Sequence, residues 1–208
     1  MIELIKICEE VGVDAVSVLT PMFVSQTQDE LYDYFATIAA STTLPIILYN
    51  VPGRTGCNIQ PETVATLVRE NENIVGLKEA TGNMAQASKT MYLCDGKLDL
   101  YSGEDGLVVP LMAIGGIGVI SVIANIAPQQ THDMCASYMA GDREKALELQ
   151  MKSLPLVDAL FSEVNPIPVK RALNLLGMEV GSLRAPLCEM SDANAAVLKQ
   201  AMVEYGLL

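Results

Sequence analysis

Five short apolar runs alternate with longer segments of helical pattern, and that alternation leaves few folds open to the chain. The runs are 14–19, 45–49, 74–78, 98–102 and 118–122, and helical periodicity is read at 1–10, 28–41, 61–70, 84–93 and 105–114. Repeated strand–helix units of this length imply a parallel sheet, because a strand reaches a parallel neighbour only through a long crossover. Gly12 stands where a C-terminal glycine cap belongs, and Pro61-Glu62 opens a helix with proline and acid in its first turn. After Ala127 the strand signal stops, and 128–140, 142–163, 167–176 and 191–205 read as helices.

Each apolar run ends in something polar or conformationally special. The ends read Leu19-Thr20-Pro21, Tyr49-Asn50-Val51-Pro52, Lys78-Glu79, Ser102-Gly103-Glu104-Asp105 and Ser121. A (β/α) barrel loads its catalytic face in this way, at the carboxyl ends of its strands. Such a barrel closes with about eight strands, so the five runs fit an incomplete barrel or an open doubly wound sheet. The doubly wound class carries a glycine-rich phosphate loop directly after a strand. Here Gly115-Gly116-Ile117-Gly118 follows a helix and reads as a tight helix-to-strand turn. The residues thus predict an α/β fold and leave both architectures open, with the strand–helix units over 1–140 and a helical C-terminal region over 141–208.

Lys78 ends the uninterrupted run Ile74-Val75-Gly76-Leu77, flanked by the polar stretch Arg69-Glu70-Asn71-Glu72-Asn73 and by Glu79-Ala80-Thr81-Gly82. A short apolar run bounded in this way predicts a strand buried on both faces. An ordinary lysine is neutral in only about one molecule in a few thousand at pH 7. Desolvation at a strand end lowers its pKa and frees the amine to attack a carbonyl. The plain alternative is a lysine snorkelling to solvent.

Composition narrows the chemistry further. A formal net charge of −12 argues against nucleic-acid binding, which wants a basic face. Cys8, Cys57, Cys94, Cys135 and Cys188 are scattered, odd in number and without a CxxC pair, which predicts reduced thiols rather than disulfides or a zinc site. His132 is the single histidine, so a histidine-rich metal site is excluded and a solvated helix residue is expected. No GxSxG elbow accompanies it for a serine triad. No stretch approaches the ~20 apolar residues of a membrane span, and the start Met1-Ile2-Glu3-Leu4-Ile5-Lys6 reads as amphipathic without a signal-peptide cleavage pattern. A cytoplasmic location is expected.

The segments Tyr49-Asn50-Val51-Pro52-Gly53-Arg54-Thr55-Gly56 and Gly76-Leu77-Lys78-Glu79-Ala80-Thr81-Gly82 resemble the two signature regions of the dihydrodipicolinate synthase / N-acetylneuraminate lyase family. Its members are pyruvate-dependent class I aldolases. The resemblance continues through Ser102-Gly103-Glu104-Asp105, Gly118-Val119-Ile120-Ser121 and Asn165-Pro166-Ile167-Pro168-Val169-Lys170, and so covers essentially the whole chain. It implies that Lys78 forms a Schiff base with pyruvate and that the phenol of Tyr49 shuttles protons. Gly103 and Ile120 match positions whose backbone lines the pyruvate pocket. Arg54 matches the arginine that holds the carboxylate of aspartate semialdehyde, the planar guanidinium being suited to a bidentate grip.

The implied activity is a lyase of lysine biosynthesis, condensing pyruvate with L-aspartate 4-semialdehyde to 4-hydroxy-tetrahydrodipicolinate. No metal or organic cofactor is implied, because the imine on Lys78 is itself the electron sink, and homotetramers built from tight dimers are the family's assembly. Two departures stand beside this. The chain resembles the family minus its first three strand–helix units, which implies an incomplete (β/α)8 TIM barrel of about five units, a partial barrel over 1–140, and predicts an exposed edge on strand 14–19. Thr20-Pro21-Met22-Phe23 stands where the synthases read Thr-Pro-Tyr-Tyr, and Phe23 has no hydroxyl. Other readings are a 2-keto-3-deoxy sugar acid aldolase, against which Arg54 argues, and a catalytically inert truncated subunit.

Overall fold

The computed structural model describes residues 1–208. They form two compact units, Met1–Ile120 and Ser121–Leu208. In chain order the first holds α1 (Ile2–Val11), β1 (Val16–Leu19), α2 (Gln28–Ala39), β2 (Ile46–Asn50), α3 (Pro52–Thr55), α4 (Pro61–Glu70), β3 (Ile74–Glu79), α5 (Met84–Leu93), β4 (Asp99–Ser102), α6 (Val108–Ala113) and β5 (Gly118–Val119). The second holds α7 (Pro128–Met139), α8 (Arg143–Leu160), α9 (Ile167–Leu175) and α10 (Asp192–Tyr205), which bury Leu156, Leu160, Ala172, Leu198 and Met202 in a core of their own.

The five strands form one sheet in the order β1-β2-β3-β4-β5, and every adjacent pair is parallel. A doubly wound sheet reverses its strand order at a switch point. The unbroken sequential order is that of a (β/α) barrel, and it decides between the two folds the sequence left open.

The helices form where local chemistry starts and stops them. Thr27 and Glu30 make a reciprocal capping box at the start of α2, and Asn83 accepts from the Gln86 N–H at the start of α5. Gly12, at φ 75°, ends α1 in the left-handed conformation expected of a glycine cap. Along α2 the buried residues Leu31, Phe35, Ile38 and Ala39 recur at helical spacing, so one stripe faces the sheet. There they meet Val16, Val18, Ile46, Leu48, Ile74, Leu77 and Leu100, and Leu67 of α4 and Met91 of α5 close the same core.

Two expectations are corrected. The strands are not buried on both faces: the face toward the helices is packed, while the other carries Ser17, Tyr49, Lys78, Asp99 and Tyr101, all half-buried or exposed. Those side chains are polar, so the apolar runs reflect the helix-side face and a few extra residues rather than two apolar faces. The last strand is also shorter than 118–122, because the Ser121 hydroxyl accepts from the Ala124 N–H at 2.8 Å and turns the chain into the 3-10 turn Ile123–Asn125.

Leu48 is fully buried between β2 and the helices. Leu48→Ala is expected to destabilise the fold by about 2–5 kcal/mol, measured as a lower urea midpoint with an unchanged denaturant slope.

Candidate active site

Parallel pairing sets one row of residues across the sheet: Leu19, Tyr49, Lys78, Tyr101 and Gly118 are register partners in turn. Alternation of side chains then turns Tyr49 and Lys78 away from the helices and their neighbours Asn50 and Glu79 toward them. The Lys78 Nζ lies 4.1 Å from the centroid of the Tyr49 ring. This lies well within the roughly 6 Å over which a cation–π contact acts.

Burial pushes the Lys78 pKa below its ordinary value, against the carboxylate charge of Asp105, which acts to raise it. Burial pushes the Tyr49 phenol up; the positive charge of Arg54 works against that shift and the negative charge of Glu104 adds to it. The site thus holds a lysine biased toward its neutral form and a phenol biased toward keeping its proton. A neutral amine is the form of lysine that attacks carbonyls, and a protonated phenol is the form that donates.

The other residues expected from the sequence surround this pair. A Cβ on Gly103 would stand 3.1 Å from the Lys78 Cε and 2.8 Å from the Ala80 Cβ, so only glycine lets the β4 backbone approach the lysine this closely. The Gly103 N–H donates to the Glu79 carbonyl at 2.7 Å, and the Ile120 N–H donates to the Ser102 carbonyl at 2.8 Å. These bonds carry the sheet's pairing just past its strand ends, Gly103 on the β3 edge of β4 next to Lys78 and Ile120 on its β5 edge. Arg54 is exposed at the end of α3. Phe23 is fully exposed at 101% with φ 80°, and its ring is not packed against the Tyr49–Lys78 pair.

Three further residues matter that sequence reading passed over. Asp105 is 2% exposed, and its charge bears on Lys78. Glu79 is 3% exposed, its Oε1 accepts the Thr81 N–H at 2.6 Å, and burial holds its carboxyl above the usual carboxylate range. Asn50 is 1% exposed and bonds to Asn58 and Ile59. For Asn50 and Glu79 the available signal was a polar residue at the carboxyl end of an apolar run, one position from Tyr49 or Lys78, and for Asp105 it was the acidic pair that follows Gly103. Of the bystanders, His132 is a solvated helix residue as expected, 3.2 Å from Asp133.

Comparison with known proteins agrees with this arrangement. The model of the dihydrodipicolinate synthetase family matches residues 1–204. The 4-hydroxy-tetrahydrodipicolinate synthase of Lachnoclostridium phytofermentans is 54% identical over 207 residues, which is 100% of this chain and 70% of that protein. The crystal structure of dihydrodipicolinate synthase from Thermotoga maritima superposes with a TM-score of 0.97 at 42% identity, covering 100% of this chain and 71% of that one. The chloride-inhibited dihydrodipicolinate synthase from Acinetobacter baumannii, complexed with pyruvate, superposes at 0.95 with 40% identity, covering 100% and 71%. The chain belongs to the dihydrodipicolinate synthase family, and its five parallel strands are units of that family's TIM barrel.

Because its pKa is lowered, the Lys78 amine is neutral at pH values where free lysine is still an ammonium. Labelling with trinitrobenzenesulfonate, read by peptide mass spectrometry, is expected to reach half its maximum at Lys78 below the pH of about 10.4 typical of lysine. Asp105→Asn removes the charge that favours the ammonium and moves this midpoint lower still. A midpoint at or above the ordinary value, or an upward move in the variant, contradicts the assignment.

Proposed function

We propose that this chain condenses pyruvate with L-aspartate 4-semialdehyde to 4-hydroxy-tetrahydrodipicolinate, through an imine on Lys78. The observation that carries the reading is the half-buried Lys78 amine set 4.1 Å over the Tyr49 ring at the ends of paired strands. The neutral amine attacks the ketone carbon of pyruvate, its two protons pass in turn to the ketone oxygen, and that oxygen leaves as water, giving the imine. Loss of a methyl proton makes an enamine, whose carbon attacks the aldehyde carbon while the aldehyde oxygen is protonated. The amino group of the semialdehyde then adds to the imine carbon and releases Lys78, closing the ring. Each step moves a proton at an oxygen or at carbon, and Tyr49 is the phenol placed to carry it.

Arg54 is assigned to the carboxylate of the semialdehyde. Its charge reaches Tyr49, which supports this assignment. This favours the semialdehyde over a neutral sugar acid. Gly103, whose backbone approaches Lys78, and Ile120, one strand further along the sheet, are assigned to the pyruvate pocket. The reading includes a homo-oligomer acting in the cytoplasm on small-molecule substrates, without metal or organic cofactor. It is consistent with the acidic net charge of −12, with five free cysteines and with the fact that no helix is long and apolar enough to cross a membrane.

Borohydride reduction in the presence of pyruvate, followed by intact-mass measurement, is expected to add one reduced pyruvyl group, located on Lys78 and abolished in Lys78→Ala. Folded protein that gains no such mass would identify an inert subunit. Charge-assisted hydrogen bonds contribute about 1.5–3 kcal/mol, so Arg54→Ala is expected to raise the KM for the semialdehyde roughly ten- to a hundredfold while the pyruvate adduct still forms.

A further inference from the structure

Arg54 sits in a turn that leaves β2 and returns to α4, and the two ends of that turn are tied to each other. The Asn50 side chain points away from the site, into the helix-side core, and is 1% exposed. Its Oδ1 accepts the Ile59 N–H at 3.2 Å, and its Nδ2 donates to the Ile59 carbonyl at 3.2 Å and to the Asn58 Oδ1 at 2.8 Å. One side-chain amide therefore pairs with both polar groups of a buried residue nine positions on, as a neighbouring strand would.

The pairing extends to two helices. The Asn58 Nδ2 donates to the Gln86 Oε1 of α5 at 3.0 Å, and the Gln86 Nε2 donates back to the Asn58 Oδ1 at 2.9 Å and to the Ile59 carbonyl at 3.2 Å. From α2, the Gln28 Nε2 donates to the Asn58 carbonyl at 2.9 Å, and its Oε1 accepts from the Gln60 N–H at 2.9 Å and from the Thr63 hydroxyl at 2.7 Å. Within the turn, the Thr55 hydroxyl donates to the Cys57 carbonyl at 3.0 Å. Two helices thus hold residues 58–60, and Asn50 joins them to the strand that carries Tyr49.

We propose that Asn50, acting through Asn58, Gln86 and Gln28, is a positioning residue that fixes the Arg54 turn beside Tyr49 and so sets the affinity for the carboxylate-bearing aldehyde. The inference rests on the reading of Arg54 given above. The role demands an amide, since the same side chain must donate to two oxygens and accept from one N–H. A carboxylate of the same shape loses both donors and faces two buried acceptors.

Asn50→Asp and the more peripheral Gln86→Glu test this, the second holding the test should the first not fold. Tryptic cleavage of the Arg54–Thr55 bond needs no turnover and reads the turn directly. Both variants are expected to be cut there about tenfold or more faster, with cleavage at other lysines and arginines unchanged. In steady state the KM for the semialdehyde should rise about tenfold with the KM for pyruvate unchanged, and Asn50→Asp should add nothing in an Arg54→Ala background. An unchanged rate at Arg54, or uniformly faster cleavage, overturns the proposal. So does a pyruvate KM that rises in step, or an Asn50→Asp effect that persists without Arg54. Arg54→Ala with the parental semialdehyde KM defeats the carboxylate grip and this inference with it, whereas absence of a pyruvyl adduct on Lys78 defeats the imine reading alone.

Discussion

The candidate site depends on one irregularity in the pairing of β2 with β3. Ile46 pairs with Ile74, but Ile47 pairs with Gly76, so Val75 is an extra residue on β3. Without that bulge Tyr49 would face Leu77, and Lys78 would stand opposite Asn50, turned into the helix-side core. A one-residue slip in a strand moves every later side chain to the other face. The bulge therefore puts the amine beside the phenol and leaves Leu77 to pack under the helices. Gly76 makes it sterically possible: a Cβ there would stand 3.0 Å from the Asp99 carbonyl and 3.3 Å from the Ile47 Cγ1.

The same irregularity separates what could be read from the sequence from what could not. Strand and helix positions were legible because apolar runs and helical stripes are local, and α4 and α5 lie where periodicity placed them. Lys78 and Tyr49 were legible because each interrupts or ends an apolar run with a reactive group. The bulge was not, since Ile74-Val75-Gly76-Leu77 has no polar residue to mark which side chain changes face. α3 was missed because a single turn leaves no period to detect. It exists because proline opens it, the Thr55 hydroxyl ties its last residue to the Val51 and Cys57 carbonyls on either side, and Gly56 at φ 70° ends it.

Residues whose roles are relational were also invisible. Asn50 looks like any polar residue after a strand until Asn58, Gln28 and Gln86 are brought to it from three other segments. Glu79 is similar: its own side chain holds the Thr81 N–H, while its carbonyl receives the Gly103 N–H. Those two bonds join the loop after β3 to the loop after β4, the two segments that flank Lys78. A buried polar group is costly unless satisfied, so such residues sit where several segments must be fixed at once.

Under the proposed imine chemistry, Asp105 gives Lys78 a balance that desolvation alone does not supply. Desolvation favours the neutral amine needed for attack on a ketone. Once the imine forms, catalysis requires the opposite, a protonated nitrogen able to draw electrons from the neighbouring carbon. A carboxylate that stabilises positive charge on Lys78 opposes the first requirement and serves the second. Burial without Asp105 would give a strong nucleophile on a poor electron sink. A stronger charge placed against a solvated lysine would give an ammonium that never attacks. The direction of the net shift, downward with a charge held in reserve, is the compromise a single lysine needs to perform both steps.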